Sequence, residues 1–120
     1  MNPTQTQSSH PFHAYGIALE LTRAVIPLAG RIGEHDSNLA KQLTRAATSV
    51  PLNLAEGRRH SGGTRTHHYR IAAGSADETL AALDVAEAAG FVTAAAAADA
   101  RAFANRVLAM TWRLTHPQRR

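Results

Sequence analysis

The stretch that decides the fold is QLTRAATSVPLNLAEG, residues 42–57. In and just before it, apolar residues recur every three or four positions, which is the spacing of one face of an α-helix. These residues are Leu39, Leu43, Ala46, Val50 and Leu54. A polar line with the same spacing lies about 100° around the helix axis. Its members are Gln42, Arg45, Ser49, Asn53 and Glu56. The stretch therefore predicts an amphipathic helix from about Asn38 to Arg59.

A first helix is predicted upstream, beginning near Phe12 or His13. Its apolar stripe consists of Tyr15, Ala18, Leu19, Thr22, Val25, Ile26, Ala29 and Ile32. Pro27 lies inside this stripe and lacks a backbone N–H. We expect it to bend the helix or to break it before Gly30 and Gly33.

Polar residues and glycines at the ends of the periodic segments predict where the helices begin and stop. The N-cap candidates are Asp36 or Ser37, Thr64 and Thr93. Gly90 should stop the third helix, because glycine tolerates a positive φ. The third and fourth helices are predicted over Arg65–Ala89 and Ala94–His116. The seam of the third is Tyr69, Ala72, Ala76, Leu80, Leu83 and Ala86, and that of the fourth is Ala96, Ala100, Phe103, Val107, Met110 and Leu114.

No strand pattern competes with these helices. The sequence therefore predicts an all-α, up-down-up-down antiparallel four-helix bundle over residues 12–116, preceded by a disordered leader (1–11) and followed by a basic tail (117–120). A chain of 120 residues is sufficient for one domain. Aromatic residues make up only 5% of it, so each helix buries little area and oligomerisation is expected.

The composition also limits the function classes. The chain has no cysteine, which excludes disulfides, thiolate metal sites and cysteine nucleophiles and allows a reducing cytoplasm. There is no signal-peptide pattern and no apolar run long enough to span a membrane, so we expect a cytoplasmic protein without membrane partners. The net charge of +4 suggests an anionic partner.

Two motifs carry a resemblance to a known family. The stretch 42–57 is similar to Q-[IL]-x-R-A-A-x-S-[IV]-x-x-N-[IL]-A-E-G, and the segment from Tyr69 through Ser75 to Glu78 contains I-A-x-G-S-x-x-E. Together, in this order, they resemble the four-helix-bundle family encoded in intervening sequences of bacterial 23S ribosomal RNA genes. The Phe-Pro that often precedes the second helix in that family is replaced by Arg31-Ile32, and the loop before the third helix is about one residue shorter.

The resemblance implies more than a fold. A relative, the accessory variability protein of diversity-generating retroelements, forms a pentameric barrel from this bundle and binds a reverse transcriptase and nucleic acid. The resemblance therefore implies a bacterial homopentamer whose partners are RNA or DNA, or a protein such as a reverse transcriptase.

The polar motif residues predict a network between the second and third helices. We expect Arg45, Ser49, Asn53 and Glu56 to be buried and to face Ser75 and Glu78. Gln42 is predicted as a further member of this network. Gly74 would allow the helices to approach closely near Pro51. A role in helix register and subunit packing is favoured. An acid–base role for Glu56, Glu78 and Arg45 stays open, but no nucleophile or cofactor motif accompanies them, so we expect no enzyme, no catalytic residue and no cofactor.

Charge is distributed unevenly along the predicted bundle. The N-terminal ends of helices one and three and the C-terminal ends of helices two and four share one end, which carries the predicted nucleic-acid-binding residues. These are Arg58, Arg59, Arg65, Arg70, Arg113, Arg119 and Arg120. The other end carries Glu34, Asp36, Glu87 and Asp99, with Arg31 and Arg101. The basic end is interpreted either as a phosphate-binding surface or as solvated arginines that confer solubility, and an adaptor that binds an acidic protein is a third reading.

Two further features stay open at this stage. The chain has seven histidines, but His67 and His68 point about 100° apart on one helix and no Glu-x-x-His or His-x3-His pair occurs, so no metal site is expected. Trp112 lies off the seam of the fourth helix and belongs either to the core or to a subunit contact.

Overall fold

The computed structural model describes residues 11–116, with side chains from residue 13 onward, and this range contains four α-helices. Their bounds are Pro11–Gly33 (α1), Ser37–Arg58 (α2), Gly62–Ala88 (α3) and Ala94–Thr115 (α4). Each helix packs against the next, and α4 closes the bundle against α1. The predicted all-α four-helix bundle is confirmed. The predicted leader and tail lie outside the described residues, except that Pro11 already belongs to α1.

Three of the predicted caps are present. The Asp36 side chain accepts a hydrogen bond from the backbone N–H of Leu39 at 2.9 Å, and Thr93 accepts one from Ala96 at 3.1 Å. Each satisfies an N–H that has no partner within the first turn of its helix. Gly90 has a φ of 79° and ends α3, with the N–H of Phe91 donating back to the carbonyl of Ala86.

The start of α3 differs from the prediction. The helix begins at Gly62, and its N-cap is Ser61 rather than Thr64. Gly62 has a φ of 59°, which glycine adopts without a steric penalty. The chain therefore turns into the helix directly at Gly62 and Gly63, which belong to its first turn.

The predicted apolar face of α1 also needs correction. Its buried residues are Ala14, Ile17, Ala18, Leu21, Val25, Leu28 and Ile32. Ile26, which the predicted stripe included, is 51% exposed. Pro27 does not break α1, which is continuous from Pro11 to Gly33. Because Pro27 is exposed, the carbonyl of Arg23 that loses its donor lies on the solvent side, where water can satisfy it.

The predicted seams of α2 and α3 are followed closely, whereas only half of the predicted α4 seam is buried. Its buried members are Ala100, Val107 and Met110, and its half-buried members are Ala96, Phe103 and Leu114. All five predicted seam residues of α2 are buried, as are Tyr69, Ala72, Ala76, Leu83 and Ala86 of α3. Thr79 is also buried. Burial of its hydroxyl is tolerated because the hydroxyl donates a hydrogen bond to the carbonyl of Ser75 at 2.8 Å. No described helix is both long enough and apolar enough to cross a lipid bilayer.

Candidate nucleic-acid interface

Four helix ends meet at one end of the bundle, which we call the basic pole. The guanidinium carbon of Arg58, in the last turn of α2, lies 5.3 Å from the ring centroid of Tyr15 near the start of α1. Arg70 of α3 shares a surface groove with Trp112 and His116 at the end of α4. These contacts place the C-terminal ends of α2 and α4 beside the N-terminal ends of α1 and α3, as the antiparallel order requires.

The opposite end, the acidic pole, has its own ion pairs. Arg101 of α4 contacts both Glu87 and Asp84 of α3, with 2.7 Å between its Nη2 and Oδ1 of Asp84. These two carboxylates raise the pKa of Arg101, the hydrogen bond with Glu87 being the larger cause. His35 stacks on Phe91 at 4.8 Å between ring centroids, which brings the α1–α2 and α3–α4 loops together. The chain is therefore electrically polarised along the bundle axis.

The arginines of the basic pole differ in what they contact. Arg65 donates from Nε to the carbonyl of Gly57 at 3.3 Å and from Nη2 to the carbonyl of Arg58 at 3.2 Å. Arg65 thus satisfies two of the last carbonyls of α2. A cation is favourable at this place, because the C-terminal end of a helix carries a partial negative charge. Arg58 is half-buried and makes a cation–π contact with Tyr15. These two arginines fix the corner between α2 and α3.

The other arginines of the pole extend toward solvent. The Arg59 side chain is 75% exposed, and its Nη1 lies 3.7 Å from a carboxylate oxygen of Glu56. Arg70 and Arg113 are exposed, and within residues 13–116 neither makes an ion pair with a carboxylate. Arg119 and Arg120 lie outside the described residues. Three exposed guanidinium groups, those of Arg59, Arg70 and Arg113, are therefore presented at one pole.

Beneath these arginines lies Tyr69, which is only 2% exposed. Burial raises the pKa of Tyr69, while the nearby charges of Arg65 and Arg58 act in the opposite direction. Its hydroxyl has no hydrogen-bond partner among the described residues. Tyr69 packs under Gly57, where a Cβ atom would clash with the ring. Tyr69 is a predicted core residue, whereas the role of Gly57 has no sequence signal beyond a glycine in the last turn of a helix.

Part of the predicted polar network is present. The Ser75 hydroxyl donates to the Ser49 hydroxyl at 2.8 Å, which joins α3 to α2. The Asn53 amide donates to both the carbonyl and the hydroxyl oxygen of Ser49, at 2.9 and 3.0 Å. Nδ1 of His68 lies 3.1 Å from Oδ1 of Asn53. Ser49, Asn53 and Ser75 thus form a chain of hydrogen bonds that ends on His68, a residue that the predicted network did not include.

The remaining members of the predicted network are not brought into it. Gln42 and Glu78 are exposed and line a shallow groove between α2 and α3. Arg45 is exposed and lines a different groove, beside Lys41 and Ala29. The expected burial of Arg45 is wrong, and Gln42 and Glu78 do not join the network. The contact between α2 and α3 is narrower than the predicted polar line, and only the inner members of that line reach α3.

Gly74 does not have the predicted role of allowing a close helix approach. It is exposed, and a Cβ atom at this position would have no neighbour within 4 Å. Pro51 is buried on the side of α2 away from Ser49 and Asn53, and α2 is continuous through it. The close approach between α2 and α3 occurs instead at Gly57, in the last turn of α2, rather than near Pro51.

Glu56 belongs to a separate cluster at the end of α2. Its Oε2 lies 3.0 Å from Nε2 of His60. The pKa of Glu56 is lowered, mainly by this hydrogen bond with His60 and further by the charges of His60, Arg59 and His68, against a smaller opposing effect of burial. The carboxylate is therefore ionised at neutral pH and faces two imidazole groups, that of His60 in the loop after α2 and that of His68 on α3.

Several large apolar side chains are exposed. Leu52 of α2 is 68% exposed, and Ile71 and Val85 of α3 are exposed on the neighbouring helix. Trp112 is 59% exposed and stacks on His116 with ring centroids 4.3 Å apart. The core alternative for Trp112 is therefore wrong, and the subunit-contact alternative is compatible with its exposure.

Comparisons with known proteins agree with this architecture. A crystal structure of a protein of unknown function from the S23 ribosomal protein family of Bacteroides thetaiotaomicron VPI-5482 superimposes with a TM-score of 0.78, covering 85% of this chain and 97% of that chain. At 16% sequence identity, this likeness shows a shared fold alone. No curated protein matches the chain. The family described as 23S rRNA-intervening sequence protein matches residues 11–113, nearly the whole bundle. The chain belongs to the 23S rRNA-intervening sequence protein family.

Proposed function

We propose that this protein is a non-enzymatic, cytoplasmic homo-oligomer whose basic pole binds nucleic acid or a protein that handles nucleic acid. The observation that carries the proposal is the exposure of Arg59, Arg70 and Arg113 at one pole. The carboxylates Glu87 and Asp84 are paired with Arg101 toward the opposite pole. A surface of this kind attracts phosphates, because Arg70 and Arg113 form no ion pair within residues 13–116 and Arg59 makes only the exposed 3.7 Å contact with Glu56.

The expected mode of binding is contact with the phosphate backbone. Arginine forms charge-assisted, bidentate hydrogen bonds with phosphate oxygens, and these contacts carry no base sequence information. Tyr69 is buried and offers no stacking surface to a base. Binding is therefore expected to tolerate different sequences and to weaken steeply with salt, because each neutralised phosphate releases counterions.

Oligomerisation would multiply this surface. The exposed apolar residues Leu52, Ile71 and Val85 lie on the outward side of α2 and α3, close to the exposed motif residues Arg45 and Glu78. Apolar side chains flanked by charged groups are typical of a face that a second subunit covers. A parallel ring of copies, pentameric as the resemblance to the accessory variability protein implies, would gather several basic poles on one face.

Charge reversal tests the role of the pole. Arg59→Glu, Arg70→Glu and Arg113→Glu are each expected to weaken binding of a fluorescent single-stranded RNA, measured by anisotropy at several salt concentrations. For each lost phosphate contact, the slope of log K against log salt should fall by about 1. The matched control is Arg31→Glu, which makes the same charge change on an exposed residue toward the acidic pole. Equal weakening by Arg31→Glu, or no binding by the unmodified protein at low salt, would overturn the proposal.

The adaptor alternative is favoured by one observation, the groove that contains Trp112. The groove is lined by Arg70 and Asp77 of α3 and by Trp112 of α4. It therefore combines an exposed aromatic ring with one positive and one negative side chain. Such a groove fits a protein segment better than a nucleic-acid backbone. Capture of one protein partner in nuclease-treated extract, lost in Trp112→Ala, together with no retention of RNA or DNA, would favour the adaptor.

A further inference from the structure

We propose that Glu56, His60 and His68 form a three-ligand site for a transition metal ion such as Zn²⁺. One carboxylate oxygen of Glu56 and one ring nitrogen of each histidine lie within 4.8 Å of one another. Glu56 belongs to the last turn of α2, His60 follows that helix, and His68 belongs to α3. Glu56 and His60 are only four residues apart in sequence, whereas His68 comes from α3 and is brought to them by the α2–α3 corner.

The ligand set suits a borderline-soft divalent ion. Two imidazole nitrogens and one carboxylate oxygen bind Zn²⁺ at about 2.0–2.2 Å, and a fourth tetrahedral position stays open for water or another ligand. Tetrahedral bonds of that length put the ligand atoms about 3.4 Å apart, and Nε2 of His60 is already 3.0 Å from Glu56. His60 is exposed and lies beyond the end of α2, so its ring can adjust. Ca²⁺ and Mg²⁺ prefer oxygen ligands and fit this set poorly.

A hydrogen bond from outside the cluster, between Asn53 and His68, orients His68 as a ligand. The carbonyl oxygen of Ser49 only accepts hydrogen bonds, so the group of Asn53 that lies 2.9 Å from it must be the amide NH₂. The other end of the Asn53 side chain, Oδ1, is then an acceptor and faces Nδ1 of His68 at 3.1 Å. Nδ1 of His68 must therefore carry the proton, which leaves the lone pair on Nε2.

This arrangement is the one that metal-binding histidines normally have. A ligating imidazole usually donates its other N–H to a carbonyl or carboxylate oxygen, which fixes the ring and its tautomer. Here Asn53 is itself held by Ser49, and Ser49 accepts a hydrogen bond from Ser75 of α3. The hydrogen-bond chain between the two helices thus orients a ligand as well as fixing their register.

The positive surroundings determine which ions can bind. Arg59 lies 3.7 Å from Glu56, and a bound cation would replace this weak, exposed contact. The charges of the basic pole oppose hard cations that bind by electrostatics alone, whereas Zn²⁺, Ni²⁺ and Co²⁺ gain from coordination by imidazole nitrogen. Binding would join His60, in the loop after α2, to α3 and would stiffen the corner that carries the exposed arginines. The metal site does not depend on the proposed nucleic-acid function.

The full chain without an affinity tag, titrated with Zn²⁺ against a chromogenic chelator, tests the site. We expect one equivalent per chain, with affinity reduced at least about tenfold in His60→Ala and in His68→Ala. His67→Ala is the matched control, because His67 is an exposed neighbour on the same helix and is not part of the cluster. His60→Ala changes an exposed loop residue and leaves the fold intact. Unchanged affinity in His60→Ala, or an equal loss in His67→Ala, would overturn the proposal.

The orienting role of Asn53 has its own readout. Co²⁺ in place of Zn²⁺ should give visible absorption bands of a tetrahedral nitrogen–oxygen site, and these should disappear in His68→Ala. Asn53→Ala should weaken Zn²⁺ binding about 10–100-fold. Asn53→Asp keeps an acceptor for Nδ1 of His68 and should therefore retain the Zn²⁺ affinity of the unmodified protein. Absence of these bands in the unmodified protein, or equal Zn²⁺ affinities in Asn53→Ala and Asn53→Asp, would contradict the assignment.

Discussion

Gly57 of α2 faces the ring of Tyr69 on α3 so closely that a Cβ atom at position 57 would lie 2.7 Å from Cε1 of the tyrosine. Cδ1 of the same ring would be 2.8 Å away, and the Cβ atom of His68 3.2 Å away. Tyr69 is buried and cannot rotate outward without leaving the core. The absence of a side chain at Gly57 is therefore what lets the last turn of α2 rest on α3, beneath the basic pole.

Gly57→Ala should destabilise the protein. The added methyl group must displace a packed aromatic ring, and overpacking of this kind costs about 1–3 kcal/mol, more than the roughly 0.5–1 kcal/mol that alanine gains over glycine in a helix. Urea unfolding followed by circular dichroism measures the difference as a lower midpoint at unchanged slope.

The matched control for this substitution is Gly74→Ala. Gly74 lies inside α3, is exposed, and has open space where its Cβ atom would be. Alanine there should stabilise the protein by up to about 1 kcal/mol through helix propensity alone. If both substitutions shift the midpoint in the same direction, the close contact between Gly57 and Tyr69 has no energetic consequence.

Tyr69→Phe should not destabilise the protein at neutral pH and should make it more resistant to alkali. The hydroxyl is buried without a described partner, so its removal relieves a desolvation cost of about 1–3 kcal/mol. Because burial raises the pKa of Tyr69, the unfolded chain releases this proton more readily than the folded one. Protonated Tyr69 therefore favours the folded state over the unfolded one. This contribution to the unfolding free energy is fully present below the unfolded pKa, about 10, and is lost as the pH rises through the raised folded pKa.

Unfolding free energies measured at several alkaline pH values test this linkage. The unmodified protein should lose stability more steeply than Tyr69→Phe as the pH rises above about 10. Parallel curves would mean that Tyr69 titrates as it does in the unfolded chain.

The bundle could be predicted from sequence because periodicity and caps are local signals. The seam of α2, from Leu39 to Leu54, follows the helical period, and Asp36 and Thr93 precede their helices at cap positions. The error in α1 has a physical cause. Its sequence carries two neighbouring apolar lines, and which one is buried depends on the neighbouring helices, as the exposure of Ile26 shows.

The candidate site could be predicted only in part. The gathering of arginines at one end follows from helix order, which sequence provides. The distinction between Arg65, which caps α2, and the exposed Arg70 requires coordinates, because five residues on one helix can point to different sides. The cluster of Glu56, His60 and His68 was equally hidden, since its members come from two helices and the loop between them.

Asn53→Leu should cost about 1–3 kcal/mol of unfolding free energy. It removes the donor of two hydrogen bonds to Ser49 and leaves His68 without its acceptor in a partly buried position. Gln42→Leu is the control, since Gln42 belongs to the same predicted polar line but is exposed, and its substitution should change stability by less than about 0.5 kcal/mol. Equal melting temperatures for the two variants would show that the Asn53 hydrogen bonds do not stabilise the fold.

Leu52→Glu should break the proposed oligomer into smaller species without unfolding the bundle. Leu52 is 68% exposed in the single chain, so a carboxylate there is hydrated in the monomer but desolvated if a second subunit covers α2. Ile26→Glu is the control, because it places the same charge on an exposed apolar position of α1, outside the proposed face. Light scattering after gel filtration should give a lower mass for Leu52→Glu than for Ile26→Glu, with equal helicity. A monomeric unmodified protein, or an intact assembly in Leu52→Glu, would place the subunit contact elsewhere or remove it, and the basic pole would then act as a single copy.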